Sequence, residues 1–334
     1  MHFPALPRLS ATMALALLSA VAWAAPGLSA GYERVKVPDG DQAALDTAIW
    51  YPTTAEARPT DLGPFTLTIA TGAPVVGKGL PLVVISHGNG GSSLSHHDTA
   101  VALAQAGYVV AAVTHTGDNH ADRSREVSMA DRPRHISRAI DYVLTQWRAN
   151  AQVDPARVGV FGFSSGGFTA VAVAGGVADL ARVGPHCQEH PRDYACLVVA
   201  KDPAGAVAAG TSGPLSGRDP RVRAAVVAAP ALGFTFSRES LARVTLPVQL
   251  WRADADTVLP SPWYAEPVRD GLGTPPEYHT VPDAGHFDFL APCTPRFSQM
   301  APPLCGSRPG FDRTAFHREF NAAVVSFYGR SLAP

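Results

Sequence analysis

Short, largely apolar runs recur along this chain at residues 82–86, 108–113, 158–161, 222–229 and 248–251, and more weakly at 278–281. A run with no polar residue at alternate positions has no face to give to water. It therefore reads as a strand buried on both sides, as in a parallel sheet covered by helices. Between the runs, residues 100–106, 136–147 and 169–173 carry apolar side chains at three- and four-residue spacing, and residues 311–328 form a last amphipathic pattern. Ahead of them, residues 32–37 and 45–51 read as an N-terminal hairpin, followed by a polar loop and a β-like stretch at 65–69. Strands alternating with helices over this length predict an α/β fold with a mostly parallel central sheet flanked by helices. No repeat and no linker divides it, so residues 25–334 are expected to form one domain. The alternation fails only at about 178–220, a Gly/Pro-rich stretch read as an insertion over the C-terminal edge of the sheet and a candidate lid.

The first 24 residues are set apart from that domain. Arg8 precedes an uncharged apolar run at 11–22, and Ala22-Trp23-Ala24 is a small-x-small site. This is the layout of a secretory signal peptide over residues 1–24, cut before Ala25. The run is shorter than the roughly 20 apolar residues of a membrane span. The mature chain is expected in the periplasm or secreted, with no stable membrane span. An oxidising compartment makes disulfide candidates of Cys187, Cys196, Cys293 and Cys305. Three connectivities are open, and the local pairs 187/196 and 293/305 are the expectation. The 24 Arg and 3 Lys balance 28 acids with no basic tract, which argues against a nucleic-acid partner.

The run at 158–161 leads into Gly162-Phe163-Ser164-Ser165-Gly166-Gly167 and then into a helical pattern. A sharp strand-to-helix turn lifts a serine hydroxyl above a sheet, and glycines flank it because a Cβ there would collide with neighbouring backbone. Ser164 is the expected nucleophile. The run at 82–86 opens into His87-Gly88-Asn89-Gly90-Gly91, whose Asn89 N–H, with that of Ser165, is placed to hold an oxyanion. An acid and a base should follow in the order Asp, His. Asp254 and Asp256 both leave the strand at 246–252, and Asp256, deeper in its loop, is preferred. His286, after Gly285 on the loop behind the last strand, is the expected base. Among the other histidines, His115 ends a strand and is assigned to the pocket lining. Phe163, Phe234, Phe236, Trp263 and Phe287 lie near strand ends, where they can line an apolar acyl pocket. His96, His97, His120, Asp118 and Asp122 follow no metal-ligand spacing, so no metal is expected.

These motifs resemble those of the α/β-hydrolases. Within that fold the chain is similar to the dienelactone-hydrolase-like group related to platelet-activating-factor acetylhydrolase. The likeness is carried by Trp50-Tyr51-Pro52-Thr53, Ser86-His87-Gly88-Asn89-Gly90, Ala106-Gly107-Tyr108-Val109-Val110, Asp131-Arg132-Pro133, Gly162-Phe163-Ser164-Ser165-Gly166-Gly167 and Gly285-His286-Phe287-Asp288-Phe289. The resemblance implies that Asn89 and Ser165 supply the oxyanion hole. True dienelactone hydrolases carry a cysteine nucleophile where this chain has Ser164. The expected activity is hydrolysis of a small carboxylic ester by Ser164, Asp256 and His286 through an acyl-enzyme, with no cofactor. A lipid, phospholipid or polyester hydrolase on the same residues is the alternative, and a non-catalytic binding protein is a third reading.

Overall fold

The computed structural model describes residues 27–203 and 213–334, so the expected signal peptide lies outside the described residues, as does the middle of the 178–220 segment. The strands are β1 (Ser29–Asp39), β2 (Gln42–Thr53), β3 (Arg58–Leu62), β4 (Phe65–Thr71), β5 (Leu80–Ser86), β6 (Val109–Val113), β7 (Val153–Phe163), β8 (Val177–Asp179), β9 (Pro214–Ser216), β10 (Val222–Ala228), β11 (Val248–Ala253) and β12 (Glu277–Val281). Ten of them form one sheet in the order β12-β11-β10-β7-β5-β6-β2-β1-β4-β3. From β12 to β6 every neighbouring pair is parallel. The N-terminal hairpin β1–β2 then continues the sheet antiparallel to β6.

The apolar runs occupy the parallel block, and their side chains divide between two cores. On β5, Leu82 and Val84 enter one core while Val83 and Ile85 enter the other; on β7, Val158 and Val160 oppose Phe161 and Phe163. Period-two alternation with both faces apolar is what makes these runs continuous. The first core is covered by α2 (Asp131–Thr145) and α3 (Ser165–Ala174). The second is covered by α1 (His97–Gln105) and the C-terminal helix Arg313–Ser331. That last helix starts where the Asp312 side chain accepts from Ala315 N–H at 2.9 Å, an N-cap that satisfies one orphan donor. Deep in the second core, the Tyr328 hydroxyl donates to Val160 O on β7 at 2.6 Å.

Several elements depart from the sequence reading, among them the following. The polar loop ahead of β4 is strand β3, a short edge strand whose charged residues suit an exposed edge. α2 begins at Asp131, five residues before the predicted helix, because Pro133 is tolerated in a first helical turn. Among its described residues, the 178–220 segment contains the two-stranded sheet β8–β9 and the helices α4 (Val183–Glu189) and α5 (Tyr194–Lys201). Both cysteine pairs are bridged as expected, Cys187–Cys196 tying α4 to α5 and Cys293–Cys305 closing a loop before the C-terminal helix.

The topology fixes where a site can form. From β5 the chain moves to β6 on one side and then crosses back to β7 on the other. Loops leaving the C-terminal ends of β5 and β7 therefore diverge, opening a crevice at the switch point.

Candidate active site

Ser164 sits in that crevice, between the end of β7 and the start of α3. Its backbone adopts φ 57° and ψ −118°, a conformation that costs a non-glycine residue on the order of 1–3 kcal/mol. Three hydrogen bonds hold it there: Ser164 N–H donates to Ala228 O at 3.0 Å, and Ser164 O accepts from Phe168 and Ala231 N–H at 3.0 and 2.9 Å. Two glycines make the turn possible. A Cβ on Gly162 would lie 1.9 Å from Gly166 O, and one on Gly166 would lie 1.9 Å from Ser86 O.

The Ser164 Oγ is 3.0 Å from His286 Nε2, and His286 Nδ1 is 2.7 Å from Asp256 Oδ2. The other Asp256 oxygen accepts from Val258 and Leu259 N–H at 2.9 and 2.7 Å. With a carboxylate facing Nδ1, that nitrogen carries the proton, which leaves Nε2 as an acceptor for the serine hydroxyl. Asp254 has no part in this chain; it is 54% exposed and paired with Arg252 at 2.6 Å. The His286 loop is braced from below. Asp288 accepts from Gly285 N–H at 2.7 Å and from Arg313 Nε at 3.0 Å, and its carbonyl oxygen meets His317 Nε2 at 2.8 Å.

The loop after β5 is held by a buried ion pair absent from the sequence reading of the site. Arg132 meets Asp118 at 2.9 Å with both side chains almost fully enclosed, 1% and 3% exposed. Arg132 also donates to His87 O at 2.8 Å and Gly88 O at 3.3 Å. Asp118 Oδ1 accepts from Gly90 N–H at 2.8 Å and Asn89 Nδ2 at 3.0 Å. The pair thus grips successive peptide groups from 87 to 90. Ser165 opens α3, so its N–H is among the first-turn donors with no partner inside the helix.

A solved structure of a ferulic acid esterase from Streptomyces cinnamoneus superposes over 92% of this chain and 90% of its own, with a TM-score of 0.61 and 20% identity. The fold is that of the α/β-hydrolases. Residues 69–213 match the model of the dienelactone hydrolase family. No curated protein matches the chain in sequence.

On this α/β-hydrolase fold, α4 and α5 form a cap above Ser164. Beneath them lies a cavity of about 630 Å³, part of it open to solvent, with Ser164, Ser165 and Asn89 at its base. Its walls are mainly apolar, with Leu180, Val183, Val198 and Val199 from the cap side and Met129, Leu232 and Leu259 from the body. None of the aromatic residues assigned to the pocket from sequence lines this cavity. Phe163 is buried against His286, with ring centroids 4.8 Å apart, and Phe287 contacts the same ring at 5.3 Å. Phe234 stacks on His186 at 3.7 Å, Phe236 packs on Phe168 at 5.1 Å, and Trp263 rests on His190. His115 is fully buried under the β5 loop, its Nε2 2.9 Å from Ser86 Oγ and its Nδ1 3.0 Å from His135 Nδ1. The lining is mostly aliphatic, with Tyr194 beside the valines, because helices of the 178–220 segment supply one wall. Among the described residues, no group of three His, Cys, Asp or Glu is arranged to hold a metal ion, and no helix is long and apolar enough to cross a membrane.

Proposed function

We propose that this chain is an exported serine hydrolase that cleaves carboxylic esters. The observation that carries the reading is the continuous Ser164–His286–Asp256 hydrogen-bonded chain, 3.0 and 2.7 Å, at the base of a lined cavity. His286 Nε2 takes the Ser164 proton as Oγ attacks the ester carbonyl, and returns it to the departing alcohol. Asp256 keeps the imidazole in the required tautomer and stabilises its charged form. The N–H groups of Asn89 and Ser165 face the developing oxyanion, a contribution of about 3–4 kcal/mol for each donor. A water activated by His286 then releases the acid from the acyl-enzyme.

Ester chemistry is further supported by the match to the dienelactone hydrolase family and by the likeness to an esterase. The relation to platelet-activating-factor acetylhydrolase rests on the sequence motifs quoted above. Small, soluble esters are favoured over lipid surfaces. Of the large apolar side chains exposed among the described residues, Leu197, Trp263 and Met300, only Leu197 belongs to the 178–220 segment. Isolated exposed residues of this kind do not make an interfacial patch. Export rests on the leader-like first 24 residues and accords with the two disulfides.

Purified protein should label with a fluorophosphonate and hydrolyse 4-nitrophenyl esters, with Ser164→Ala abolishing both. A wild type inert to both reagents overturns the enzyme reading; an active Ser164→Ala overturns the assignment of the nucleophile.

A further inference from the structure

The first residue of α5 reaches across the cavity to the loop that presents the oxyanion N–H. The Tyr194 hydroxyl donates to Asn89 Oδ1 at 2.8 Å. The orientation of the Asn89 amide is chemically determined. Its Nδ2 faces the Asp118 carboxylate at 3.0 Å, so the amide oxygen must face the phenol. Burial raises the Tyr194 pKa above the ordinary phenol value, which keeps the hydroxyl a donor at neutral pH. The Asn89 side chain is thus held at one end by the Asp118–Arg132 pair of the body and at the other by the cap. The cap end is itself fixed, since Asp193, just before α5, accepts from the Tyr264 hydroxyl at 2.8 Å and meets His186 Nε2 at 3.0 Å.

We propose that Tyr194 is a positioning residue for catalysis, which sets the Asn89 peptide for oxyanion binding through the Asn89 side chain and so couples the seating of the cap to completion of the oxyanion hole. This rests on the esterase reading above. The consequence is a division of labour within the cap. Leu180, Val183, Val198 and Val199 contact whatever fills the cavity and act on binding, while the Tyr194 hydroxyl acts on the rate of the chemical step. An acyl group packed beneath α5 would hold Tyr194 against the loop, so binding energy from a part of the substrate remote from the reacting carbon appears in kcat.

The test is steady-state kinetics on 4-nitrophenyl butyrate with wild type, Tyr194→Phe, Asn89→Ala and the double variant. Tyr194→Phe removes one oxygen from a half-buried ring. It should lower kcat about tenfold, the effect of a lost hydrogen bond that matters mainly in the transition state, with KM within about twofold. Asn89→Ala keeps the backbone N–H, removes the contacts to both Tyr194 and Asp118, and should show the same split at least as strongly. The double variant should be no slower than Asn89→Ala, because on this proposal the effect of the hydroxyl on the rate runs through that side chain. An unchanged kcat, a loss confined to KM, or losses that multiply in the double variant overturns the proposal. A wild type inert to both ester and fluorophosphonate overturns the esterase reading and this inference with it, whereas an active wild type with an unaffected Tyr194→Phe overturns this inference alone.

Discussion

At the scale of single residues, the two neighbouring aspartates give the sharpest contrast. They lie two positions apart, yet Asp256 receives two backbone N–H bonds and the His286 ring, while Asp254 points to solvent with Arg252. Asp256→Asn should lower kcat by about 10³–10⁴-fold, because an amide no longer fixes the productive tautomer. Asp254→Asn should stay within about twofold of wild type, as expected for a surface ion pair. Ester assays on the two variants check this, and equal losses would show that the acid is not Asp256 alone. Ser164, Asp256 and His286 were legible in the sequence because each stands on a loop that directly leaves an apolar run, so strand position carried the information. Arg132 was legible only as part of Asp131-Arg132-Pro133. Nothing local says that an arginine near a helix start will be buried beneath a loop 45 residues earlier, where it meets His87 O.

At the scale of elements, the cap was the part least available to sequence reasoning. Gly and Pro punctuate it, and α4 and α5 span only 7 and 8 residues, too few turns for a helical period to emerge. Such short helices have little stability of their own, so their order depends on tertiary and covalent ties. Such ties include the Asp193–Tyr264 and Tyr194–Asn89 hydrogen bonds and the Cys187–Cys196 bridge. Closing a loop of roughly ten residues is worth about 2.5–3 kcal/mol in chain entropy. Cys187→Ser/Cys196→Ser should therefore raise proteolytic nicking within 183–203 by up to about 100-fold under native conditions. Cys293→Ser/Cys305→Ser should leave nicking there unchanged. Limited proteolysis followed by mass spectrometry distinguishes the two, and equal nicking of the cap in both variants would assign its order to packing instead. The aromatic residues near strand ends stood open between pocket lining and core packing for a related reason. Strand-end position places a side chain near the site but does not say whether it faces the cavity or backs a catalytic loop, and Phe163 and Phe287 back His286.

At the scale of the whole molecule, the two-sided sheet encloses several uncharged imidazoles. Burial, reinforced by the Arg132 charge, holds His87 and His115 well below the ordinary histidine value; burial also takes His135 to about 4 and His96 to about 3. The hydrogen bonds agree, since only one ring can donate across the His115–His135 Nδ1 contact, and His87 Nε2 accepts from His115 N–H at 3.0 Å. The unfolded chain takes up protons at these sites near pH 6.5, whereas the folded chain does not until far lower. Stability is therefore full above about pH 6.5 and is lost as the pH falls toward 4, at up to about 1.4 kcal/mol per pH unit for each ring. Urea unfolding at pH 7.5, 6.5 and 5.5 should give a midpoint that drops steeply only over the last interval. A constant midpoint would mean that the rings are charged in the native state.

The clamp beneath the His286 loop has a consequence for the order in which the molecule becomes competent. Arg313 and His317, which hold Asp288, belong to the C-terminal helix. Ser164 and Asp256 are synthesised well before it, but the histidine that joins them has no floor until that helix docks. During vectorial synthesis, Ser164 and Asp256 are thus present long before His286 is braced to join them. On the proposed mechanism, activity requires that the helix starting at Arg313 has docked behind the His286 loop.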